Sequence, residues 1–310
     1  MRDVMRPGRR GGFTLVEVMV ALVLLGMVSV VLYQTLISTQ RITDALHQRG
    51  KMQSGLRAGG LTVPGELQQL TIGSSSTLDS VTDVSAVTDT SITYRAMRGF
   101  YTLCQATADA TTLTAVRVLP SPFTSEYRTP VATDSALIFW EGDTLSTYDD
   151  AWIPVGISGV ATTTCSYPSS PAATMAAYTI GLSGSGIPSS YALGKLTPGA
   201  PIRTFETDQL LLYASGGSEW LGLSVNGGAA EPVLGPLAPT SGTVYGFQLT
   251  YYDSSGTALT ATSANIPKIR TIGVMLRGVT SARVAAAGRT RALIYDSLMA
   301  VVTLRNAPRN

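Results

Sequence analysis

The feature that most constrains this chain is a long apolar run near its amino terminus. Residues 13–37 are almost all apolar, and no charge interrupts the run between Val18 and Tyr33. A helix of this length can cross a bilayer, which needs about 20 residues at a rise of about 1.5 Å each. The one ionisable group in the run is Glu17, and a carboxylate at that depth is costly unless it is paired. The sequence therefore predicts a membrane-length helix with a functional carboxylate near its start.

The residues around the start of this run resemble a known signal. The stretch in question is Arg9-Arg10-Gly11-Gly12-Phe13-Thr14-Leu15-Val16-Glu17. It is similar to the type III signal of type IV pilins and type II secretion pseudopilins. The resemblance implies that a prepilin peptidase cleaves between Gly12 and Phe13 and that the new amine of Phe13 is methylated. It also implies that Glu17 pairs with the methylated amine of a neighbouring subunit, which agrees with the need of a buried carboxylate for a cation.

The simpler interpretation of this stretch is a signal anchor or a secretory signal peptide. A secretory signal has a short apolar core followed by small residues at its cleavage site. Here Gly11 and Gly12 precede the apolar run instead. The order of glycines and apolar residues favours a prepilin over a secretory signal.

Composition and length predict an α+β fold. The long N-terminal helix spans the membrane, becomes amphipathic, and packs on a C-terminal, mostly antiparallel β domain. Only 14 % of the 310 residues are charged, and the abundant Thr, Ser, Gly, Val and Tyr residues suit short strands and turns. We expect three parts: a leader peptide over 1–12, a transmembrane and assembly helix over 13–65, and a β-rich domain over 66–310 outside the cytoplasm.

Charge is distributed unevenly between the leader and the rest. Residues 1–12 hold four arginines and one aspartate, so cleavage leaves 18 of the 22 basic residues and 19 of the 20 acidic ones. The basic leader should remain cytoplasmic by the positive-inside bias. The nearly neutral remainder argues against a strong electrostatic nucleic-acid binder.

The pattern after the apolar run predicts where the helix ends and strands begin. Apolar residues recur at helical spacing from Gln34, and Pro64 is expected to end or break the helix. Residues 71–90 are rich in Ser, Thr and Asp and are expected to form a loop. Residues 279–291 are ambiguous. Apolar alternation predicts strands over 91–97, 113–119, 136–140, 152–157, 160–167, 209–214, 219–225, 243–252, 268–277 and 298–305.

Cys104 and Cys165 are the only cysteines, and both follow the membrane segment. In an oxidising compartment we expect them to form a disulfide. Closing the loop between them stabilises the fold by roughly 4 kcal/mol in the chain-entropy model. The alternative is two separate buried thiols.

Several segments of the body are similar to the PilW/PulJ group of minor pilins. The segments that carry this second resemblance are 134–138, 204–213, 220–222, 247–253, 266–274 and 303–306. They span nearly the whole domain, although each one is degenerate. The size of the body also exceeds that of a typical major pilin, which favours a minor, low-copy subunit.

Catalysis has little support in the sequence. His47 is the only histidine, so a multi-histidine zinc site is excluded, and its place on the long helix gives a Ser/His/Asp triad little support. No Walker-type phosphate loop is present. We therefore expect no enzymatic activity, no cofactor and no small-molecule substrate.

Three further groups of residues are candidate binding sites. Asp143, Asp149 and Asp150 form the densest acidic cluster, but their spacing is not that of a calcium loop, and a solvated turn is favoured. The aromatic residues fall in strand patterns, where they usually belong to the core; they are Trp140, Trp152, Trp220, Tyr251 and Tyr252. A weak contact with DNA is suggested only by three arginines, which are Arg283, Arg289 and Arg291.

Taken together, these features predict a structural subunit of a type IV pilus, with a pseudopilin of type II secretion as an equally compatible assembly. Its expected partners are the prepilin peptidase, other major and minor pilins, and the inner-membrane assembly platform. It would be inserted once in the inner membrane with a cytoplasmic amino terminus before joining a filament. An alternative from another class is a DNA-uptake or adhesion module whose β domain binds a ligand directly.

Overall fold

The structure is a computed structural model of the chain, and it describes residue 12 and residues 14–73, 82–108, 113–120, 127–142, 145, 150–167, 170–184, 196–284 and 290–304. One helix, α1, spans Leu15–Gln68 and is followed by thirteen strands and a 3-10 helix at Ser263–Lys268. The strands are β1 Val84–Val87, β2 Ser91–Ala108, β3 Leu113–Pro120, β4 Ser135–Trp140, β5 Ala151–Tyr167, β6 Ser170–Leu182, β7 Pro201–Ser215, β8 Ser218–Val225, β9 Glu231–Leu237, β10 Phe247–Tyr252, β11 Ala258–Leu259, β12 Thr271–Val279 and β13 Tyr295–Thr303. Every strand pairing in the described part of the chain is antiparallel, which confirms the predicted α+β class.

Helix α1 is 54 residues long, which corresponds to about 80 Å. It continues through Pro64 to Gln68, so this proline does not end it as the sequence suggested. Helix α1 packs into the apolar core over its last third: Met52 is partly buried, and Leu56, Val63 and Leu67 are buried. Ile42 and Leu46 belong to the helical spacing that begins at Gln34, yet both are exposed.

Six of the strands close into a ring. Their order is β2, β3, β6, β5, β4 and β7, and β7 pairs again with β2 over Ser91 to Thr102. Alternating side chains from these strands fill the interior with a compact apolar cluster that includes Tyr101, Leu103, Ile138 and Ile153. The ring is a small β-barrel with a packed core.

The remaining strands extend from the same two long strands into an open sheet. The first half of β2 pairs with β1, and the second half of β7 pairs with β8, which leads to β9, β12, β10 and β11, with β13 on the other side of β12. The C-terminal part of α1 packs on this sheet. The glycines of the helix permit the close approach, because a Cβ at Gly59 or Gly60 would lie 2.6 Å from a methyl of Leu234 or Leu298.

Residue contacts divide the chain into two compact units. The first consists of Met1–Lys51 together with Thr280–Ile294, and the second holds the rest of α1 and all thirteen strands. Within the first unit, the described residues 280–284 and 290–294, which we call the arm, are joined by an antiparallel bridge between Val284 and Ala292, with N···O distances of 3.0 and 3.1 Å.

The strand predictions succeeded where apolar alternation was clear. Strands β2, β3, β4, β5, β7, β8, β10, β12 and β13 contain or overlap the predicted segments, and β5 joins two of them into one. The structure adds β1, β6, β9 and β11, which the sequence did not predict, and β1 lies within the loop predicted over 71–90. Each of these strands pairs with a predicted strand, so hydrogen bonds to the neighbour hold it extended although its own sequence lacks clear apolar alternation.

Candidate functional site

The first turn of α1 contains the residues expected to govern processing and assembly. Gly12 is exposed, and nothing lies within 4 Å of the position that a Cβ would occupy there. Thr14 caps the helix: its Oγ1 accepts a hydrogen bond of 3.3 Å from the Glu17 amide, and its carbonyl accepts one of 3.2 Å from Val18. Phe13 lies outside the described residues. The arrangement has the Thr-x-x-Glu spacing of a capping box.

Glu17 is exposed in the first turn of α1. A carboxylate is favourable there, because the unpaired amides of a helix start carry partial positive charge. Cleavage before Phe13 would add a cationic amine at the same end. Glu17 is thus the one carboxylate in the first turn that can balance that charge.

The surface of α1 beyond Glu17 is apolar on every side. Large apolar residues from Leu15 to Leu36 are 46 % to 79 % exposed, and this is the one helix in the described part of the chain that is long and apolar enough to cross a membrane. The hydroxyls of Ser29 and Thr35 donate to the carbonyls of Leu25 and Val31, at 2.7 and 2.8 Å. Because these hydroxyls are satisfied within the helix, they do not oppose an apolar surrounding.

Cys104 and Cys165 form a disulfide with their Cα atoms 6.5 Å apart. Both are buried with Leu119 and Ala177 in a small cluster of their own. The bridge joins β2 to β5, which are not neighbours in the barrel. The predicted disulfide is confirmed.

A charged cluster that the sequence did not reveal lies where the barrel meets the open sheet. The register of the pairing between β2 and β7 shifts between Met97 and Gly99, so Arg98 is the extra residue of a β-bulge in β2. A bulge turns its side chain out of the regular alternation. Arg98 thereby reaches β7, where its Nε bonds Glu206 and its guanidinium donates to Asp208 Oδ2 at 2.7 Å.

A second arginine closes the cluster from the loop before β4. Arg128 binds Asp134 through two bonds of 2.7 Å and donates to Glu206 Oε2 at 2.6 Å. Asp134 also accepts the amide of Val131 at 3.0 Å, which holds the loop in its turn. The exposed Tyr127 ring lies 5.2 Å from the guanidinium carbon of Arg98. The cluster thus fastens this loop to both long strands.

Burial, neighbouring charges and hydrogen bonds shift the pKa values of these groups. Asp208 is almost fully buried, and desolvation together with the charge of Glu206 raises its pKa from 3.8 to about 6. Its Oδ1 has no hydrogen-bond partner. Desolvation alone would lower the pKa of Arg98, but its hydrogen bond with Glu206 and the surrounding carboxylates raise it. The hydrogen bond with Asp134 raises the pKa of Arg128.

Among the described residues, no group of three or more His, Cys, Asp or Glu side chains is arranged to hold a metal ion. Asp143 and Asp149 lie outside the described residues, and Asp150 accepts the amide of Gly142 at 3.2 Å. The solvated turn expected for Asp143, Asp149 and Asp150 therefore stays a prediction.

The aromatic residues have structural contacts. Tyr251 is buried and donates to the carbonyl of Thr88 at 3.0 Å. Trp152 lies under the guanidinium of Arg203 at 4.6 Å and beside the Phe139 ring. Trp220 donates to the carbonyl of Ser215 at 3.1 Å. Trp140 packs against the barrel core, and Tyr252 is half-buried. No continuous stacking face is formed by these rings.

One comparison with known proteins adds to this geometry. The model of the prokaryotic N-terminal methylation motif matches residues 8–33, which include Gly12, Phe13 and Glu17. No curated protein and no solved structure is significantly similar to the chain. The match supports a type IV pilin-like prepilin, and its motif implies processing by a prepilin peptidase and pilin partners. Together with the apolar helix, the motif suggests membrane anchoring.

Proposed function

We propose that this chain is a minor pilin of the PilW/PulJ kind, a structural subunit that helps to initiate or build a type IV pilus. The observation that carries the proposal is the continuity of the methylation motif with an apolar helix that is exposed on all sides and that ends in a large β domain. Such a helix needs either lipid or the helices of other subunits around it. A pilin uses both surroundings in succession.

The order of events follows from the chemistry of the first turn. The leader 1–12 remains in the cytoplasm, the peptidase cuts after Gly12, and the amine of Phe13 is methylated. In the inner membrane Glu17 is costly. In a helix bundle it meets the amine of a neighbouring Phe13, and the pair offsets the cost of desolvating each charge. The β domain stays outside the cytoplasm with its disulfide formed, and the chain itself catalyses no reaction.

Two alternative functions, a pseudopilin and a module that binds DNA or a surface, make different demands on the residues of this chain. A pseudopilin of type II secretion would share the first turn and the helix, so it is the competing assembly. A module that binds DNA or a surface directly would need an exposed binding face on the β domain. In the described part of that domain the arginines of the Arg98 cluster are already paired with carboxylates, which leaves Arg283 and Arg291 as candidates for such a contact, whereas Arg289 lies outside the described residues.

The decisive experiment combines processing with phenotype. Mass spectrometry of the protein from cells with an active prepilin peptidase should show N-methyl-Phe13 as the first residue, and Gly12→Leu should retain the leader. Deleting the gene should reduce the number of surface pili, and only the wild-type copy should restore them. An intact Met1 in wild-type cells would refute the proposal. Normal piliation with lost secretion of a type II substrate would instead assign the chain to a pseudopilus.

A further inference from the structure

A basic cavity lies in the first unit, beside the helix segment that follows the apolar run. Its volume is about 370 Å³. The residues that line it come from one side of α1 and from the arm over 280–294: Arg41, Asp44, His47, Gln48, Ala282, Arg283, Val284 and Arg291. Neither processing nor assembly, as described above, uses this cavity.

The arm is fixed beside the helix by specific contacts. Ser281 Oγ donates to Gln48 Oε1 at 2.7 Å, and the Thr280 amide donates to the carbonyl of Ile294 at 3.0 Å. Val284, which follows the lining arginine Arg283, is buried. These contacts place Arg283 and Arg291 on the same cavity as Arg41. The cavity is therefore formed by a closed arm and not by a single charged helix face.

The charge of the lining selects the kind of ligand. Three arginines face one carboxylate, and within the described residues none of the three forms a salt bridge. Guanidinium groups bind phosphate oxygens through paired hydrogen bonds, so several of them around one cavity favour a phosphate group. Asp44 opposes an isolated anion but accepts hydrogen bonds from hydroxyls that accompany a phosphate. This combination suits the headgroup of an anionic phospholipid with free hydroxyls.

The position of the cavity along α1 points to the same ligand. Leu15 to Leu36 spans about 33 Å of helix, close to the roughly 30 Å of a hydrocarbon core. Arg41 then lies about 7 Å beyond Leu36, and His47 about 16 Å beyond it. Headgroups occupy roughly 5 to 8 Å on each side of the core. Long arginine side chains reach back toward such a layer. Arg41 thus lies at the outer edge of the headgroup layer when the apolar run spans a bilayer, whereas His47 lies beyond it, so the long arginine side chains bridge the remaining distance to the headgroups.

We propose that this cavity binds the phosphate headgroup of an anionic phospholipid in the membrane that anchors the helix. The arginines of the helix and the arm hold the phosphodiester, and Asp44 accepts from a headgroup hydroxyl. The bound lipid fixes the arm and the depth of the helix before assembly. This inference rests on the proposed membrane anchoring and not on the minor-pilin assignment.

The test uses the full chain purified in a neutral detergent, with phosphatidylglycerol or phosphatidylcholine titrated in and bound lipids counted by native mass spectrometry. Wild type should retain phosphatidylglycerol in preference to phosphatidylcholine. Arg283→Gln with Arg291→Gln should weaken phosphatidylglycerol binding by at least about tenfold, since each cation near an anionic lipid contributes roughly a fivefold factor. Arg41→Gln alone should weaken phosphatidylglycerol binding several-fold. Because Arg41 lies on α1, this variant tests the cavity even if the arm variant does not fold correctly.

The matched control is Arg49→Gln with Arg57→Gln, which removes the same charge from two exposed arginines of α1 outside the cavity. It should leave binding unchanged. Equal retention of phosphatidylglycerol by the control and the arm variant overturns the proposal. So does displacement of the lipid by inorganic phosphate at equal concentration, or by a short DNA duplex in an arginine-dependent manner. Loss of the wild-type protein from membranes in alkaline carbonate would instead refute the anchoring itself.

Discussion

Gly59 of α1 lies so close to Leu234 of β9 that a Cβ on this glycine would be 2.6 Å from a Leu234 methyl carbon, and 3.0 Å from one of Leu276. Glycine in the interior of a helix is ordinarily destabilising. The structure shows that Gly55, Gly59 and Gly60 let α1 approach the sheet. Their helical cost, about 0.5–1 kcal/mol each relative to alanine, is offset by the apolar burial that close packing allows.

This contact predicts opposite effects of one substitution at two glycines. Gly65→Ala meets nothing within 4 Å and should stabilise the chain by about 0.5–1 kcal/mol through helix propensity. Gly59→Ala gains the same propensity but must displace Leu234 and Leu276, so its stability should fall below that of Gly65→Ala by about 1–3 kcal/mol. Urea unfolding of the full chain in detergent measures both, because all three tryptophans lie in the β domain. Equal stabilities of the two variants would contradict the packing described.

The buried carboxylate of Asp208 predicts a pH dependence. Its pKa is raised to about 6 in the folded state, so between pH 4 and 6 the folded chain binds more protons than the unfolded one. The contribution of Asp208 to stability is then largest at low pH and is lost as the pH rises through about 6. Between pH 4.5 and 7.5 the loss is about 2 kcal/mol.

Asp208→Asn should remove this contribution, since asparagine imitates the protonated form. The stability difference between wild type and variant should change by about 2 kcal/mol over that pH range, in favour of the variant at pH 7.5. Asp253→Asn is the control, because that carboxylate is exposed and its pKa is lowered by hydrogen bonds with Ser255 and Thr257. A constant difference between wild type and Asp208→Asn would rule out the raised pKa.

The disulfide predicts a large loss when one cysteine is removed. The bridge closes a loop with a sequence separation of 61, so Cys104→Ala should destabilise the chain by about 4 kcal/mol in the chain-entropy model. The double variant Cys104→Ala with Cys165→Ala is the control, since it loses the bridge without leaving a free thiol. Both should unfold at similarly lowered urea concentrations. Alkylation of two thiols in unreduced wild-type protein would show that the bridge does not form in cells.

Glu17 predicts a separation of insertion from assembly. Glu17→Gln keeps the shape of the side chain but deletes the charge, and Glu17→Leu also removes the cost of the carboxylate in lipid. Both variants should be cleaved after Gly12 and should remain in the membrane. An unpaired amine buried among helices costs about 3–5 kcal/mol, so both should be depleted more than tenfold from sheared filaments. Wild-type levels of Glu17→Gln in filaments would show that charge pairing does not select this residue.

The sequence predicted those parts of the fold that depend on local pattern. The apolar run of α1 and the alternating strands were found because their periodicity is independent of distant residues. Strand β9 was missed because its seven residues include Pro232, Pro236 and Gly235, which a local pattern treats as a loop. It is a strand because β8 pairs along its length, and β12 bridges Leu237.

The disulfide and the Arg98 cluster differ in how far the sequence could predict them. Two cysteines allow one intramolecular pairing, so Cys104–Cys165 followed from counting and compartment. Arg98 has many carboxylates to choose from, and Glu206 and Asp208 are 108 and 110 residues away. The bulge that selects them exists only after β2 and β7 have paired. Asp134 and Glu206 lie in the segments 134–138 and 204–213, which resemble minor pilins, but that resemblance predicted no ion pair between them and an arginine.

The position of Gly60 against Leu298 has a consequence for the way the chain is made. The helix leaves the ribosome well before β13, which carries Leu298. At typical rates of synthesis the two are separated by roughly 10–50 s. Throughout that interval the apolar side chains of Leu56, Val63 and Leu67 lack part of the surface on which they pack, so a nascent chain of this kind needs protection along α1 until β13 has been translated.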